Sequence, residues 1–392
     1  MVQNIFIMHC WTTYKWGDIA TLEYGKGLRD YQNLDGKYPV YGTNGKIGTT
    51  NTFLNPSSGV IIGRKGAYRE VHYSDQPFYV IDTAFYLKSS CKYLNIKFAY
   101  YNLLTVDINA MDSGSAIPST SREEFYDLNL MLPSLNEQIA IVEVLSSLDE
   151  KNDLLHRQNK TLEQLAETLF RRFFNTKSEK WRMKTFSTLI ENTLGGEWGK
   201  ENPEADFLLK VCCIRGTDIA DLQTGLATRT PTRFVKENKF NNITPKNGDL
   251  IMEISGGTDD QATGRTIYIN EQNRMLFPHP LVFSNFCRLI RPRKGEFSLF
   301  LYLYIKFLYD QGDFFNLENG SSGIKNLDYK ALLYELEYLL PNQDEELLNF
   351  NNEVAIYFEK INKNKHQIHT LTKLRDILLP KLISGEVRVK MD

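Results

Sequence analysis

Residues 141–170 read IVEVLSSLDEKNDLLHRQNKTLEQLAETLF, and residues 350–378 read FNNEVAIYFEKINKNKHQIHTLTKLRDIL. In the first stretch Ile141, Leu148, Leu155, Leu162 and Leu169 recur every seven residues, with Leu145, Asn152, Asn159 and Ala166 between them. In the second, Phe350, Tyr357, Asn364, Leu371 and Leu378 recur in the same way, interleaved with Val354, Ile361, Ile368 and Arg375. A 4-3 alternation sustained over about four heptads is a coiled-coil seam, narrower than the stripe of an ordinary surface helix. At about 1.5 Å per residue each helix is predicted to run roughly 50–60 Å. The seam asparagines weaken such a pairing but fix its register and partner. Both helices belong to one chain and are separated by a whole globular segment, so the predicted pairing is intramolecular and antiparallel. It sets two globular parts at opposite ends of a rod; a coiled coil for dimerisation is the competing reading.

Outward from the helices, the chain repeats itself. Each half opens near a Trp with a short helical or turn element, Trp16-Gly-Asp-Ile-Ala20 and Trp181-Arg-Met-Lys-Thr-Phe186. Each continues through short strands and Gly-rich loops to a Gly-Ser loop, Ser113-Gly-Ser-Ala-Ile117 and Asn319-Gly-Ser-Ser-Gly-Ile324. Each then reaches a Leu-Pro pair, Leu132-Pro133 and Leu340-Pro341, and a long helix. The fold class is therefore α+β, with two pseudo-repeated mixed α/β domains separated by two long helices that form an intramolecular antiparallel coiled coil. The predicted boundaries are 1–133 and 179–341 for the domains, 134–178 and 342–384 for the helices, and 385–392 for a tail. A length of 392 residues suits this division, since one domain takes roughly 100–200.

Composition narrows the class. Hydrophobic residues make up 42% and charged residues 24%, so the chain can bury real cores and is not broadly disordered. The formal net charge is −2, which means that any basic nucleic-acid footprint must be local. Cys10, Cys91, Cys212, Cys213 and Cys287 form no CxxC pair or ligand-spaced cluster, a pattern that fits a reduced, cytoplasmic protein with buried thiols. No signal peptide or membrane-length apolar run is visible.

The chemistry-bearing loops are Gly-rich, polar and basic. In the first half, Tyr41, Thr43, Asn44 and Lys46 form a loop with hydrogen-bonding reach. The strand Val60–Ile62 then runs into a turn presenting Arg64, Lys65 and Tyr68. In the second half the strand Leu250–Ile254 leads to Ser255, Gln261, Thr263 and Arg265, with Arg215 and Arg229 adding local charge. Arg forks onto guanine O6/N7, Gln pairs bidentately with adenine, and Lys neutralises phosphate. Ser113, Ser115, Ser321 and Ser322 of the Gly-Ser loops complete the candidate DNA contacts. Taken singly, these are also what solvated hairpin turns look like.

Catalytic signatures are missing. There is no Asn/Asp-Pro-Pro-Tyr/Phe of adenine methyltransferases, no Gly-x-Gly cofactor loop on a strand–helix unit and no Walker A sequence. His366 and His369 share a helix face without Cys or carboxylate partners, so they read as solvated helix positions rather than metal ligands. The chain reads as a non-catalytic binding protein without a metal site.

The closing run Leu371-Thr-Lys-Leu-Arg-Asp-Ile-Leu-Leu-Pro-Lys-Leu-Ile-Ser-Gly-Glu-Val387 resembles the end of type I restriction–modification specificity subunits. Leu162 to Phe174 is similar to the central region of that family, and Leu130 to Ile139 to its domain-to-helix junction. Tyr38–Gly48, Gly59–Tyr68 and Gly248–Ile251 resemble motifs of its target recognition domains. The second junction, Leu340-Pro-Asn-Gln-Asp-Glu-Glu-Leu347, departs from the Glu-Gln-Ile form of the first, which blurs the helix start near 343. The resemblance implies that each domain reads half of a bipartite, asymmetric sequence in double-stranded DNA, across a gap set by the helix pair. It implies two methyltransferase subunits carrying S-adenosylmethionine and two restriction/translocase subunits using ATP and Mg, with no cofactor on this chain. The recognition subunit of another DNA-modifying system and a non-catalytic coiled-coil scaffold are the alternatives.

Overall fold

The computed structural model describes residues 11–31, 35–111, 117–177, 180–226, 230–320 and 324–390. The chain divides into two compact units, Met1–Glu150 with Lys373–Asp392, and Lys151–Thr372.

The first unit contains β1 (Thr12–Lys15), β2 (Ala20–Tyr24), β3 (Tyr38–Gly42), β4 (Gly45–Thr50), β5 (Gly59–Gly63), β6 (Val71–Ser74), β7 (Tyr79–Val80), β8 (Ala84–Ser89) and β9 (Asn129–Leu132). β1 and β9 form an antiparallel ribbon, β2-β8-β5-β6 a four-stranded sheet, and β4-β3-β7 a three-stranded sheet in which β3 and β7 run parallel. β5 is buried along its whole length, as an unbroken Gly-Val-Ile-Ile-Gly run requires. A Cβ on Gly63 would come within 2.8 Å of the Thr43 carbonyl, so only glycine lets the strand end there.

The second unit repeats this plan with β10 (Arg182–Thr185), β11 (Ile190–Gly195), β12 (Leu209–Ile214), β13 (Thr232–Val235), β14 (Leu250–Glu253), β15 (Ser255–Gly256), β16 (Thr266–Tyr268), β17 (Leu281–Phe283), β18 (Cys287–Pro292), β19 (Glu318–Asn319), β20 (Lys325–Leu327) and β21 (Glu337–Leu340). The ribbon β10-β21, the four-stranded sheet β11-β18-β14-β16 and the three-stranded sheet β13-β12-β17 match the first unit strand for strand. The parallel pair recurs too, between β12 and β17. The second unit also holds a small sheet, β15-β20-β19. The helix Ser298–Gln311 fills the core with Phe300, Leu301, Tyr304 and Ile305. Burial pushes the Cys213 and Cys287 thiols up to about 12.

The alignment of the repeat differs from the sequence reading. Trp181 corresponds to Trp11, one residue before its ribbon strand, whereas Trp16 corresponds to Phe186. Trp16 and Phe186 are fully buried at the start of the short helical turns Trp16–Ile19 and Phe186–Thr188.

The long helices span Leu135–Lys177 and Asp344–Ile383. In the first unit Ile141 and Leu145 are buried with Leu379, Leu382 and Ile383, while Leu148 and Leu378 are half-buried. Arg375 bonds Asp149 there at 3.2 Å. In the second unit Asn152, Leu155, Asn159 and Ala166 are buried, as are Phe350, Val354, Ile361, Asn364 and Ile368. Leu162, Leu169, Tyr357 and Leu371 are half-buried. Asn364 donates to Asn159 at 2.9 Å and Asn152 contacts Thr372 at 3.4 Å, so the two segments run antiparallel.

Burial is wider than the seam alone. Phe170, Phe358, Asn362, Lys365 and His369 are also covered, because these helix segments serve the sheet domain as well as each other. His369 is therefore not the solvated position its sequence context suggests, although His366 is exposed.

Candidate nucleic-acid interface

In each unit the four-stranded sheet ends in a cleft. The first-unit cleft lies where β2 and β5 run out, and it is lined by Tyr24, Arg64, Phe85, Ser121, Arg122 and Tyr126 among others. Its volume is about 650 Å³. Arg64 sits over the Tyr24 ring at 4.7 Å and the Phe85 ring at 5.6 Å, and its Nη1 donates to the Asp82 carbonyl at 2.9 Å. Arg122 stands 5.2 Å from the centre of the same Tyr24 ring and donates to the Tyr126 hydroxyl at 2.8 Å.

The other first-unit candidates are dispersed. Tyr41 is half-buried edge-on to Phe78, and burial raises its phenol above the ordinary range. The Thr43 hydroxyl is turned to the Lys65 and Thr83 carbonyls at 2.7 and 2.6 Å, tying two loops together. Asn44 and Lys46 are exposed at the β3–β4 turn, where Gly45 takes φ +110 against the His72 ring. Lys65 is held by its backbone, Tyr68 is exposed, and Ser113 and Ser115 lie outside the described residues. Behind this turn Arg69 is buried, donating to the Asn109 and Met111 carbonyls at 2.9 Å.

The second unit carries its cleft at the corresponding end, where β11 and β14 run out. It encloses about 900 Å³. Arg215, Ser255, Gln261 and Arg265 converge on it, joined by Trp198 and the exposed ring of Phe286. Glu253, almost wholly buried, takes Nε and Nη2 of Arg265 at 2.9 and 2.7 Å. Asp218, equally buried, takes Nε and Nη2 of Arg215 at 3.1 and 2.7 Å. These bonds raise both arginines and fix their planes. A carboxylate on the Nε/Nη2 edge leaves the Nη1/Nη2 edge of Arg265 for a second planar partner. Gly216 and Gly256 make this possible, because a Cβ on either would come within 2.6 or 2.5 Å of Glu253 Oε1.

Thr263 is fully buried. Its hydroxyl donates to the Gly256 carbonyl and its N–H to Glu318, so it shapes the loop rather than facing the cleft. Arg229, Ser321 and Ser322 lie outside the described residues. Sequence reading missed Tyr24, Arg122, Tyr126, Trp198 and Phe286. An aromatic at a strand end, in a short helix or in a loop carries no mark that separates it from core, and Arg122 meets Tyr24 only through the fold. Among the described residues no group of three or more His, Cys, Asp or Glu is placed to hold a metal, and no helix is long and apolar enough to cross a membrane.

Residues 8–164 match the family described as Type I restriction modification DNA specificity domain. Over 302 residues the chain is 24% identical to the Type I restriction enzyme MjaIX specificity subunit of Methanocaldococcus jannaschii, a match covering 71% of this chain and 65% of that protein. Over 139 residues it is 27% identical to the Type I restriction enzyme EcoprrI specificity subunit of Escherichia coli, covering 34% of each. The chain thus spans less than two thirds of the length of these relatives. The crystal structure of a Type-I restriction-modification system S subunit from M. genitalium superposes on it with a TM-score of 0.60 at 19% identity, covering 100% of this chain and 99% of that one. The fold is shared.

Proposed function

We propose that the chain belongs to the family of type I restriction–modification specificity subunits, which its family match, its relatives and its fold support, and that its two α+β units read the two halves of a bipartite, asymmetric DNA target. Residues 1–133 and 179–341 are the reading domains, and the helices 134–178 and 342–384 are the spacer that sets the gap. The observation that carries this reading is the repeated cleft, which sits at the same end of the same sheet in both units and has arginines on its wall. One scaffold that meets DNA at the same place in both units, with different side chains there, suits two unlike half-sites, whether a given cleft contacts a base edge or positions the backbone.

The chain is the non-catalytic member of its complex. Two methyltransferase subunits supply S-adenosylmethionine and the methyl transfer, and two restriction/translocase subunits supply ATP- and Mg-dependent cleavage. A net charge of −2 suits a subunit that grips DNA inside a channel its partners complete. The isolated chain therefore binds DNA weakly, and the complex works in the cytoplasm.

Exchange of one domain tests the assignment. Replacing residues 1–133 by the first domain of a relative, and mapping methylation by the reconstituted complex, is expected to change one half of the methylated motif. The other half and the gap stay as they were. A motif changed in both halves, or in neither, contradicts the division of labour.

A further inference from the structure

The two clefts are charged differently, and the difference points to different ligands. In the second unit both arginines are neutralised by buried carboxylates, which suits a neutral base edge. In the first unit no carboxylate lies within ion-pair distance of Arg64 or Arg122 among the described residues. Glu123 shares the cleft wall, is exposed, and pairs with neither. Two guanidinium groups are instead brought to one phenol ring, 4.7 and 5.2 Å from its centre. Like charges gathered without a counter-ion favour an anion between them.

A third donor faces the same space. The Tyr126 hydroxyl accepts from the Leu22 N–H at 3.0 Å and from Arg122 Nη2 at 2.8 Å. A phenol oxygen has two lone pairs and one proton. With its accepting side filled, the proton is left to donate, and Tyr126 lines the cleft. Two guanidinium groups and a phenol proton therefore face one cavity, beside a Glu123 carboxylate that pairs with neither arginine, which suits a ligand presenting several lone pairs and a full negative charge.

We propose that the first-unit cleft binds a phosphodiester, held by Arg64, Arg122 and the Tyr126 hydroxyl, with Tyr24 keeping the two guanidinium groups in place. The inference rests on the reading of this chain as a DNA-binding subunit and gives that cleft one task, seating the backbone rather than reading a base. The second cleft has the oriented arginines that base reading needs.

The test uses the chain assembled with its methyltransferase subunits and a duplex carrying the target. Affinity is measured between about 50 and 200 mM salt for wild type, Arg122→Gln, Arg64→Gln and Arg122→Lys. Each phosphate contact contributes a slope of about −0.9 in log K against log salt, so each Gln variant should lose about 3.5-fold of the salt-dependent change in affinity. Arg122→Lys keeps the charge and should keep most of the slope. The methylated motif should be unchanged in every variant. A Gln variant that folds as wild type but keeps the full slope overturns the proposal, and so does one that alters the motif, which makes Arg122 or Arg64 a base reader. A melting-temperature titration of the chain with inorganic phosphate separates the two sources. If wild-type complex ignores the duplex while phosphate stabilises the chain through Arg122, the DNA reading fails and the ligand is a free phosphate. A wild-type protein that responds neither to the duplex nor to phosphate overturns the site.

Discussion

The Trp181 indole N–H donates to Glu346 in the first turn of the second long helix at 3.3 Å, and Trp11 makes the same bond to Glu137 at 3.2 Å. The repeat thus extends to single hydrogen bonds at the joint between ribbon and helix. The two copies differ in burial. Glu137 is almost wholly buried and is also held by Arg388, which lies over the Trp11 ring.

Arg388→Ala leaves the Glu137 carboxylate buried with the indole donor and without its counter-ion. Breaking such a pair costs about 3–5 kcal/mol when fully buried, and the partly exposed Arg388 reduces that to roughly 1–3 kcal/mol. Calorimetry is expected to show a lower melting temperature, largely restored when Glu137→Gln is added. An unchanged Arg388→Ala melt would make the tail contact incidental.

Within the second unit Asn159 and Asn364 bond each other inside the helix pair, each also presenting an amide atom without a partner. Asn364→Leu strands Asn159 and should cost about 1–3 kcal/mol. The double replacement by Leu should recover most of that loss while weakening register specificity. A double-mutant cycle with no coupling would contradict a role for this layer.

Lys365 is buried beside Glu163, and burial lowers the pKa of its ammonium below the usual lysine range, with Glu163 opposing the shift. Below the depressed folded value both folded and unfolded chains carry the proton, and the burial cost is fully present. Between that value and about 10.5 the folded chain has shed the proton first, so stability rises with pH. Lys365→Met should therefore exceed wild type by about 1 kcal/mol at neutral pH, with the gap closing as pH approaches about 10. Urea melts at two pH values measure it; a gap that is constant or widens upward gives the wrong sign.

Arg265 presents its Nη1/Nη2 edge because Glu253 holds the other. Arg265→Gln in the active complex should change the methylated motif at one or two neighbouring positions within one half-site, since a bidentate contact discriminates by about 1–3 kcal/mol. Loss of methylation at all sites alike, with the motif kept, would instead assign the arginine to structure or backbone.

The long helices were legible because a heptad is a local pattern; the observed helices, Leu135–Lys177 and Asp344–Ile383, contain the periodic stretches 141–170 and 350–378 and extend five to seven residues beyond each end. The clefts were legible only where a Gly-rich loop advertised an arginine, as at Arg64 and Arg265. Tyr24 and Arg122 are 98 positions apart in sequence and meet because the helix Arg122–Asp127 packs beside β2. The Trp16–Trp181 equivalence failed for a related reason. Residue identity suggested it, whereas strand pairing matches Trp11 to Trp181.

The proposed reading is tested most directly by mapping methyladenine at base resolution in cells that express the neighbouring methyltransferase subunit with and without this chain. The expected result is a bipartite motif with a fixed gap that vanishes when the chain is omitted. Identical maps in both cells, from a methyltransferase active with another specificity subunit, would contradict it.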